Sequence, residues 1–220
     1  MKLDEPFFNL YNHGFVRVAV GIPMVRVAEP EFNARETIAL MKQAVERKAL
    51  LIVFPELGLS AYSCEDLFQQ QALLDSCKEH LTSVLHASQG IPVVTIIGLP
   101  LVVDGLLFNC AAVLSRGHLL GVIPKTYLPN YREFYEMRQF MPADCARSRT
   151  IHVLNQHDVP FGNQLLFQIE DQPLCTFHVE ICEDLWVPIP LSSYASLAGA
   201  TVLINLSASN ITIGKAEYRR

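Results

Sequence analysis

The chain has 220 residues, 50% hydrophobic and 18% charged, with a mean hydropathy of +0.25; that composition builds one substantial core and excludes intrinsic disorder. Lys and Arg number 17 against 22 Asp and Glu, a net charge of -5, so the basic footprint of a nucleic-acid or anionic-membrane binder is missing. Six cysteines without a C-x-x-C pair argue against structural zinc and against a disulfide framework.

The longest apolar stretches, such as 49–54 and 92–103, are too short or too broken by Pro and Gly to cross ~30 Å of hydrocarbon. The start, MKLDEPFFNLYNHG, is acidic where a secretory signal is basic, so the expected compartment is the cytoplasm. Nothing linker-like divides the chain, and residues 1–220 read as one domain.

In chain order, Phe15 to Val20 alternates apolar and polar as a strand. Pro30 to Arg47 places Ala34, Ile38, Met41 and Val45 on one helical face, and the continuously apolar Leu50 to Phe54 is a strand buried on both sides, completing a βαβ unit. A second helix is expected from about Glu65 to Ala87, with Leu67, Leu74, Leu81 and Leu85 inward, leading to a strand at Val93 to Gly98. Leu99 to Val103, Phe108 to Leu114 and His118 to Ile123, joined at Asp104-Gly105 and Arg116-Gly117, form an antiparallel meander.

Residues 124–148 have neither period but carry three Tyr and two Phe, and so long an irregular segment in a compact domain is usually functional. Strands recur at Ile151 to Leu154, Leu165 to Ile169, Leu174 to Ile181 and Thr201 to Leu206, with a short helix near Leu191 to Leu197. The last residues, GKAEYRR, look like the first turns of a helix without a C-cap, as though the chain were cut inside an element.

Three side chains stand just beyond a buried strand, where an α/β sheet presents its ligands. Glu56 follows LLIVFP, and desolvation at the sheet rim favours a general base; a loop carboxylate or helix cap is the alternative. Lys125 follows LLGVIP and could balance an acid or snorkel to solvent. Cys182 ends CTFHVEIC before a turn, which suits an exposed nucleophile with backbone N-H groups behind it, or equally a small buried hydrophobe, the reading given to the other five cysteines. Together they supply a thiol, a base and a cation, the parts of a covalent acyl transfer.

That arrangement resembles the carbon-nitrogen hydrolase (nitrilase) superfamily, whose Glu/Lys/Cys triad sits after three strands of an αββα sandwich. The finer resemblance is to the glutaminase domain of glutamine-dependent NAD synthetases, carried by HGFVRVAVGIP (13–23), VFPELGLSAY (53–62), PKTYLPNYREFYE (124–136), EICEDLW (180–186) and NLSASNITIGKAEYRR (205–220). It implies an α/β, nitrilase-like αββα four-layer sandwich, truncated at its C-terminus. It further implies that Cys182 attacks the side-chain amide of L-glutamine, Glu56 acts as base and then acid, and Lys125 with the backbone N-H of Glu183 meets the oxyanion. Glu136 matches an additional carboxylate beside the triad, able to hold Lys125 charged.

By the same resemblance Tyr62, Tyr131, Phe134, Ser209 and Lys215 shape the glutamine pocket, although aromatics there could also pack the loop onto the domain. No cofactor or metal is implied for the glutaminase step; ATP and Mg2+ belong to a synthetase domain absent here, and no phosphate-cradling glycine motif occurs. Implied partners are that domain and further copies of the chain, as relatives are homo-oligomers. Ala61 departs from the family, which often has Gly there. Rival readings are a stand-alone amidase or nitrilase and a catalytically silent module. An assembled triad should also depress the Cys182 pKa.

Overall fold

The computed structural model describes residues 9–218. The acidic start at Asp4 and Glu5 and the final Arg219 and Arg220 lie outside them.

Strand β1 (Val18–Val20), strand β2 (Leu51–Val53) and strand β3 (Val94–Val103) run parallel, and β4 (Leu106–Ser115) and β5 (His118–Pro124) complete a five-stranded sheet by antiparallel pairing in the order β1-β2-β3-β4-β5. Asp104-Gly105 (φ 53° and 78°) and Arg116-Gly117 (φ 51° and 81°) are left-handed at both positions. This is the twist-matched geometry of a two-residue hairpin, in which glycine costs least. β3 is continuous through Gly98, so the expected break between a strand at 93–98 and another at 99–103 does not exist.

Helix α1 (Pro30–Glu46) begins with proline at its first turn, where no N-H is needed. It closes with Lys48 at φ 56°, its N-H donating to the Val45 carbonyl (2.8 Å) and that of Ala49 to the Ala44 carbonyl (2.9 Å), a Schellman closure. Helix α2 (Gln71–Ala87) is shorter than the sequence suggests: Glu65–Gln69 is a separate 3-10 turn, and extended Gln70 interrupts the pair. The break rotates the inward face onto Leu73, Cys77, Leu81, Val84 and Leu85, leaving Leu67 exposed.

A two-stranded ribbon, β6 (Thr150–Val153) with β7 (Gln156–Pro160), follows the irregular segment; β7 was not legible as a strand. The second main sheet has the order β10-β9-β8, with β8 (Leu166–Ile169) antiparallel and β10 (Val202–Leu206) parallel to β9 (Gln172–Ile181). Helix α3 (Leu191–Leu197) packs on β9, and a single helical turn, α4 (Lys215–Tyr218), ends the described residues.

The layers follow from strand alternation. Ile52, Ile97, Leu99, Cys110 and Ala112 face α1 and α2 with Met41, Cys77, Leu81 and Val84, forming one core. Their strand neighbours Leu51, Ile96, Ala111, Val113 and Ile123 point the other way, against Phe177, Val179, Ile181, Ile204 and Leu206. The stack is helices, sheet, sheet, helix: the expected αββα sandwich. No helix among the described residues is long and apolar enough to cross a membrane.

Candidate active site

Glu56, Lys125 and Cys182 stand at the same rim, each within three residues of the end of β2, β5 or β9. The loop after β2 lies directly on β3: Phe54 N-H donates to Ile96 (2.9 Å) and Leu59 N-H to Gly98 (3.0 Å). Only glycine fits at position 98, because a Cβ there would meet the Leu57 nitrogen at 2.4 Å and the Pro55 oxygen at 2.5 Å. The fully buried Asn33 of α1 braces the same loop, donating to the Leu59 carbonyl (3.0 Å).

This seat buries the Glu56 carboxylate to 2% exposure. Lys125, also buried, donates to Glu56 Oε1 (2.6 Å) and to both oxygens of buried Glu136 (2.7 and 2.8 Å). Glu136 sits in the irregular segment, in the 3-10 turn Glu136–Arg138, and also accepts from the Tyr62 hydroxyl (2.8 Å). Burial alone would lower the Lys125 pKa, yet the carboxylates of Glu56 and Glu136 hold the ammonium charged and push it above its ordinary value. Burial raises Glu136 against the pull of Lys125, with Glu56 adding repulsion. Tyr62 is pushed up by burial and then by Glu136, so it remains a donor.

Cys182 opens the 3-10 turn Cys182–Leu185 at φ 46°, a left-handed conformation that costs a non-glycine residue roughly 1–3 kcal/mol and needs surrounding structure to hold it. Asp184 provides that structure. Its fully buried carboxylate accepts from Ile181 N-H (3.1 Å) on one side and from Thr126 and Tyr127 N-H (3.1 and 2.8 Å) on the other, tying the elbow to the residues after Lys125. Burial pushes Asp184 up to about 7, against its hydrogen bonds to these amides.

The thiol departs from expectation. Burial, followed by repulsion from Glu56, pushes Cys182 up to about 11 despite Lys125 and the Ser207 hydroxyl 3.4 Å from Sγ. Burial is the larger cause and charge adds to it, since a thiolate there would face the carboxylates of Glu56 and Glu136 with the Lys125 ammonium offsetting only part of their repulsion. Near pH 7 the thiol is therefore neutral.

The aromatics form a row over this array. Phe134 meets Tyr62 and Tyr131 edge-on, with ring centroids 6.4 and 6.1 Å apart, and the Tyr131 hydroxyl donates to the Glu183 carboxylate (3.1 and 3.0 Å) beside Cys182. Lys215 donates to Ser209 Oγ (2.5 Å) and to Asn210, which in turn donates to Glu133. Ser209 and Lys215 thus meet each other; Lys215 is linked to the aromatic loop through Asn210, and the Ser209 N-H donates to the Ser207 hydroxyl (3.3 Å) that lies beside Cys182.

Sequence reasoning missed several residues here. Asn109 of β4 donates to Glu56 Oε1 (2.8 Å), Ala208 N-H to Glu56 Oε2 (3.0 Å), and Asn205 to the Cys182 carbonyl (3.3 Å). One signal was available: Asn109 is a polar residue in an otherwise apolar run, LLFNCAAVL. Among the described residues, no group of three or more His, Cys, Asp and Glu could hold a metal ion.

A family model described as carbon-nitrogen hydrolase matches residues 17–219. The glutamine-dependent NAD(+) synthetase of Mycobacterium tuberculosis is 47% identical over 214 residues, 97% of this chain and 31% of that protein, and that of Aquifex aeolicus is 30% identical over 88% of this chain and 30% of that protein. The chain therefore spans about a third of the length of these curated relatives. A crystal structure of a glutamine-dependent NAD(+) synthetase from Cytophaga hutchinsonii superposes with a TM-score of 0.79 at 24% identity, covering 93% of this chain and 32% of that one. An amidase mutant from Nesterenkonia sp., with the acetamide moiety of fluoroacetamide covalently added at its active site cysteine, gives 0.67 at 16% identity over 91% of this chain and 68% of that one. At these identities the two structures speak for the fold alone.

Proposed function

The chain belongs to the carbon-nitrogen hydrolase family, and from that premise we propose that it hydrolyses the side-chain amide of L-glutamine through a thioester on Cys182, as the glutaminase part of a glutamine-dependent NAD synthetase. The observation that carries the reading is the buried hydrogen-bonded array of Glu56, Lys125 and Glu136 at the rim where β9 delivers Cys182.

Sγ attacks the amide carbon as Glu56 takes the thiol proton; a C-S bond forms and the carbonyl oxygen becomes an oxyanion. The charge count favours this concerted order. Before attack the site holds Glu56, Glu136 and Lys125, one net negative charge; afterwards Glu56 is neutral and the oxyanion replaces it, so the total is unchanged. Lys125, fixed by Glu136, and the Glu183 N-H stabilise the oxyanion, a donor of this kind contributing about 3 kcal/mol. Glu56 then protonates the amide nitrogen, the C-N bond breaks and ammonia leaves. A water deprotonated by Glu56 attacks the thioester, the C-S bond breaks, the proton returns to sulfur, and glutamate departs.

Tyr131, Phe134 and Tyr62 form the wall against which the glutamine lies. Ser209 and Lys215 supply polar donors for its α-carboxylate. The ammonia serves an ATP- and Mg2+-dependent amidation of nicotinic acid adenine dinucleotide in the part of the relatives that this chain does not span. The whole reading places the protein in the cytoplasm as a homo-oligomer.

The test is glutamate release from L-glutamine by this chain, with Cys182→Ala as control and asparagine as competitor. Release that is specific for glutamine and absent from Cys182→Ala supports the reading. Preference for another amide favours the stand-alone amidase, the activity named for the Nesterenkonia neighbour. A folded sample that releases nothing makes the chain a silent module.

A further inference from the structure

The Glu56 carboxylate is unevenly occupied. Oε1 accepts from Lys125 Nζ (2.6 Å) and from Asn109 Nδ2 (2.8 Å), whereas among the described residues Oε2 accepts only from the backbone N-H of Ala208 (3.0 Å). A carboxylate oxygen offers two lone-pair directions, so Oε1 is full and Oε2 keeps one open. The open oxygen is also the one tied to the chain that touches the nucleophile, since Ala208 follows Ser207, whose hydroxyl lies 3.4 Å from Cys182 Sγ.

We infer that Asn109 is the positioning residue that selects the basic oxygen: by occupying the second lone pair of Oε1 it leaves Oε2 as the seat for the proton from Cys182. This rests on the glutaminase reading above and deepens it. Asn109 stands in β4 opposite Pro100 of β3, and its carbonyl accepts from Lys125 N-H (2.8 Å), so one residue fixes both the base and the backbone of the cation. Its other amide atom points to the same purpose. Asn109 Oδ1 is buried without a partner among the described residues, a cost that a leucine of similar size would avoid. What the amide adds over leucine is the bond to Glu56.

Asn109→Leu, which removes the donor but keeps the volume, is therefore expected to lower kcat for glutamate release about tenfold or more with KM nearly constant. Asn109→Asp keeps the shape but sets a carboxyl group against Oε1, so it should lower kcat at least as far; it also serves if the leucine variant does not fold. Wild-type-like kcat in a folded variant overturns the inference, as does a loss carried by KM alone. If the wild-type chain itself releases no glutamate, the inferred proton seat falls with the glutaminase reading.

Discussion

Replacing Gly98 with alanine displaces Glu56 without touching it. The added Cβ would lie 2.4 Å from the Leu57 nitrogen, 2.5 Å from the Pro55 oxygen and 2.9 Å from the Glu56 carbonyl carbon. All three are backbone atoms, so no change of rotamer relieves the overlap. Ordinary contact begins near 3.4 Å, and reaching it requires the 55–57 loop to retreat from β3 by about 1 Å. A backbone shift of that kind costs roughly 1–3 kcal/mol of stability. A catalytic group misplaced by ~1 Å costs on the order of 100-fold in rate. The assay pairs kcat/KM for glutamate release with thermal denaturation, and the expected result is a loss near 100-fold in a protein whose Tm falls by about 2–12 °C. Wild-type-like kcat/KM would refute the tight seat, and so would an activity loss no larger than the unfolded fraction explains.

Further expectations follow from the same geometry. Ala61 sits at φ 69°, so Ala61→Gly should raise stability by about 1 kcal/mol in urea denaturation, an outcome that a lower midpoint would contradict. Asp184→Asn sets an amide N-H against that of Ile181 while its oxygen can still serve Thr126 and Tyr127; kcat should fall about tenfold or more with little change in KM, measured by steady-state kinetics. The folded pKa of Cys182 is raised, from an ordinary 9.0 to about 11. Below pH 9 the thiol is neutral in both states, and between pH 9 and 11 the unfolded chain ionises first, so its stabilising contribution is lost as pH rises. Wild type should therefore lose about 2–3 kcal/mol more than Cys182→Ala across that window in denaturation experiments, and parallel curves would contradict this.

The elements most legible in the sequence were those whose pattern depends on local spacing. Ala34 and Met41 gave α1, the Asp-Gly and Arg-Gly turns gave the hairpins around β4, and the strand-terminal positions of Glu56, Lys125 and Cys182 placed them on one rim. What escaped depends on contacts distant in sequence. Gly98 reads as a strand breaker until the 55–57 loop is seen lying on it, so β3 was split in two. Gln70 carries no mark of the extended backbone that separates Glu65–Gln69 from α2. Asn109, Asp184 and Ala208 act through hydrogen bonds that include partners 53 to 152 residues away, which no periodicity encodes. The raised Cys182 pKa escaped for the same reason, since it depends first on how deeply the fold buries the thiol and then on the carboxylates it brings beside it.

The candidate site is divided between the two sheets. Glu56, Lys125 and Asn109 belong to the five-stranded sheet, Cys182 and the Ala208 N-H to the three-stranded one, and no strand of either pairs with a strand of the other. Between them runs an apolar seam of Ile96, Val113 and Ile123 against Phe177, Val179 and Ile181. Apolar contact is attractive but indifferent to small sideways slides. The alignment of sulfur with carboxylate is therefore written at the rim, in Asp184's grip on Thr126 and Tyr127 and in the Ala208 N-H reaching across to Glu56. Like two ruled plates pinned only along one margin, the layers can keep their adhesion while losing their calibration: a change deep in the seam would reach the chemistry as a vernier error, with the sandwich itself still closed.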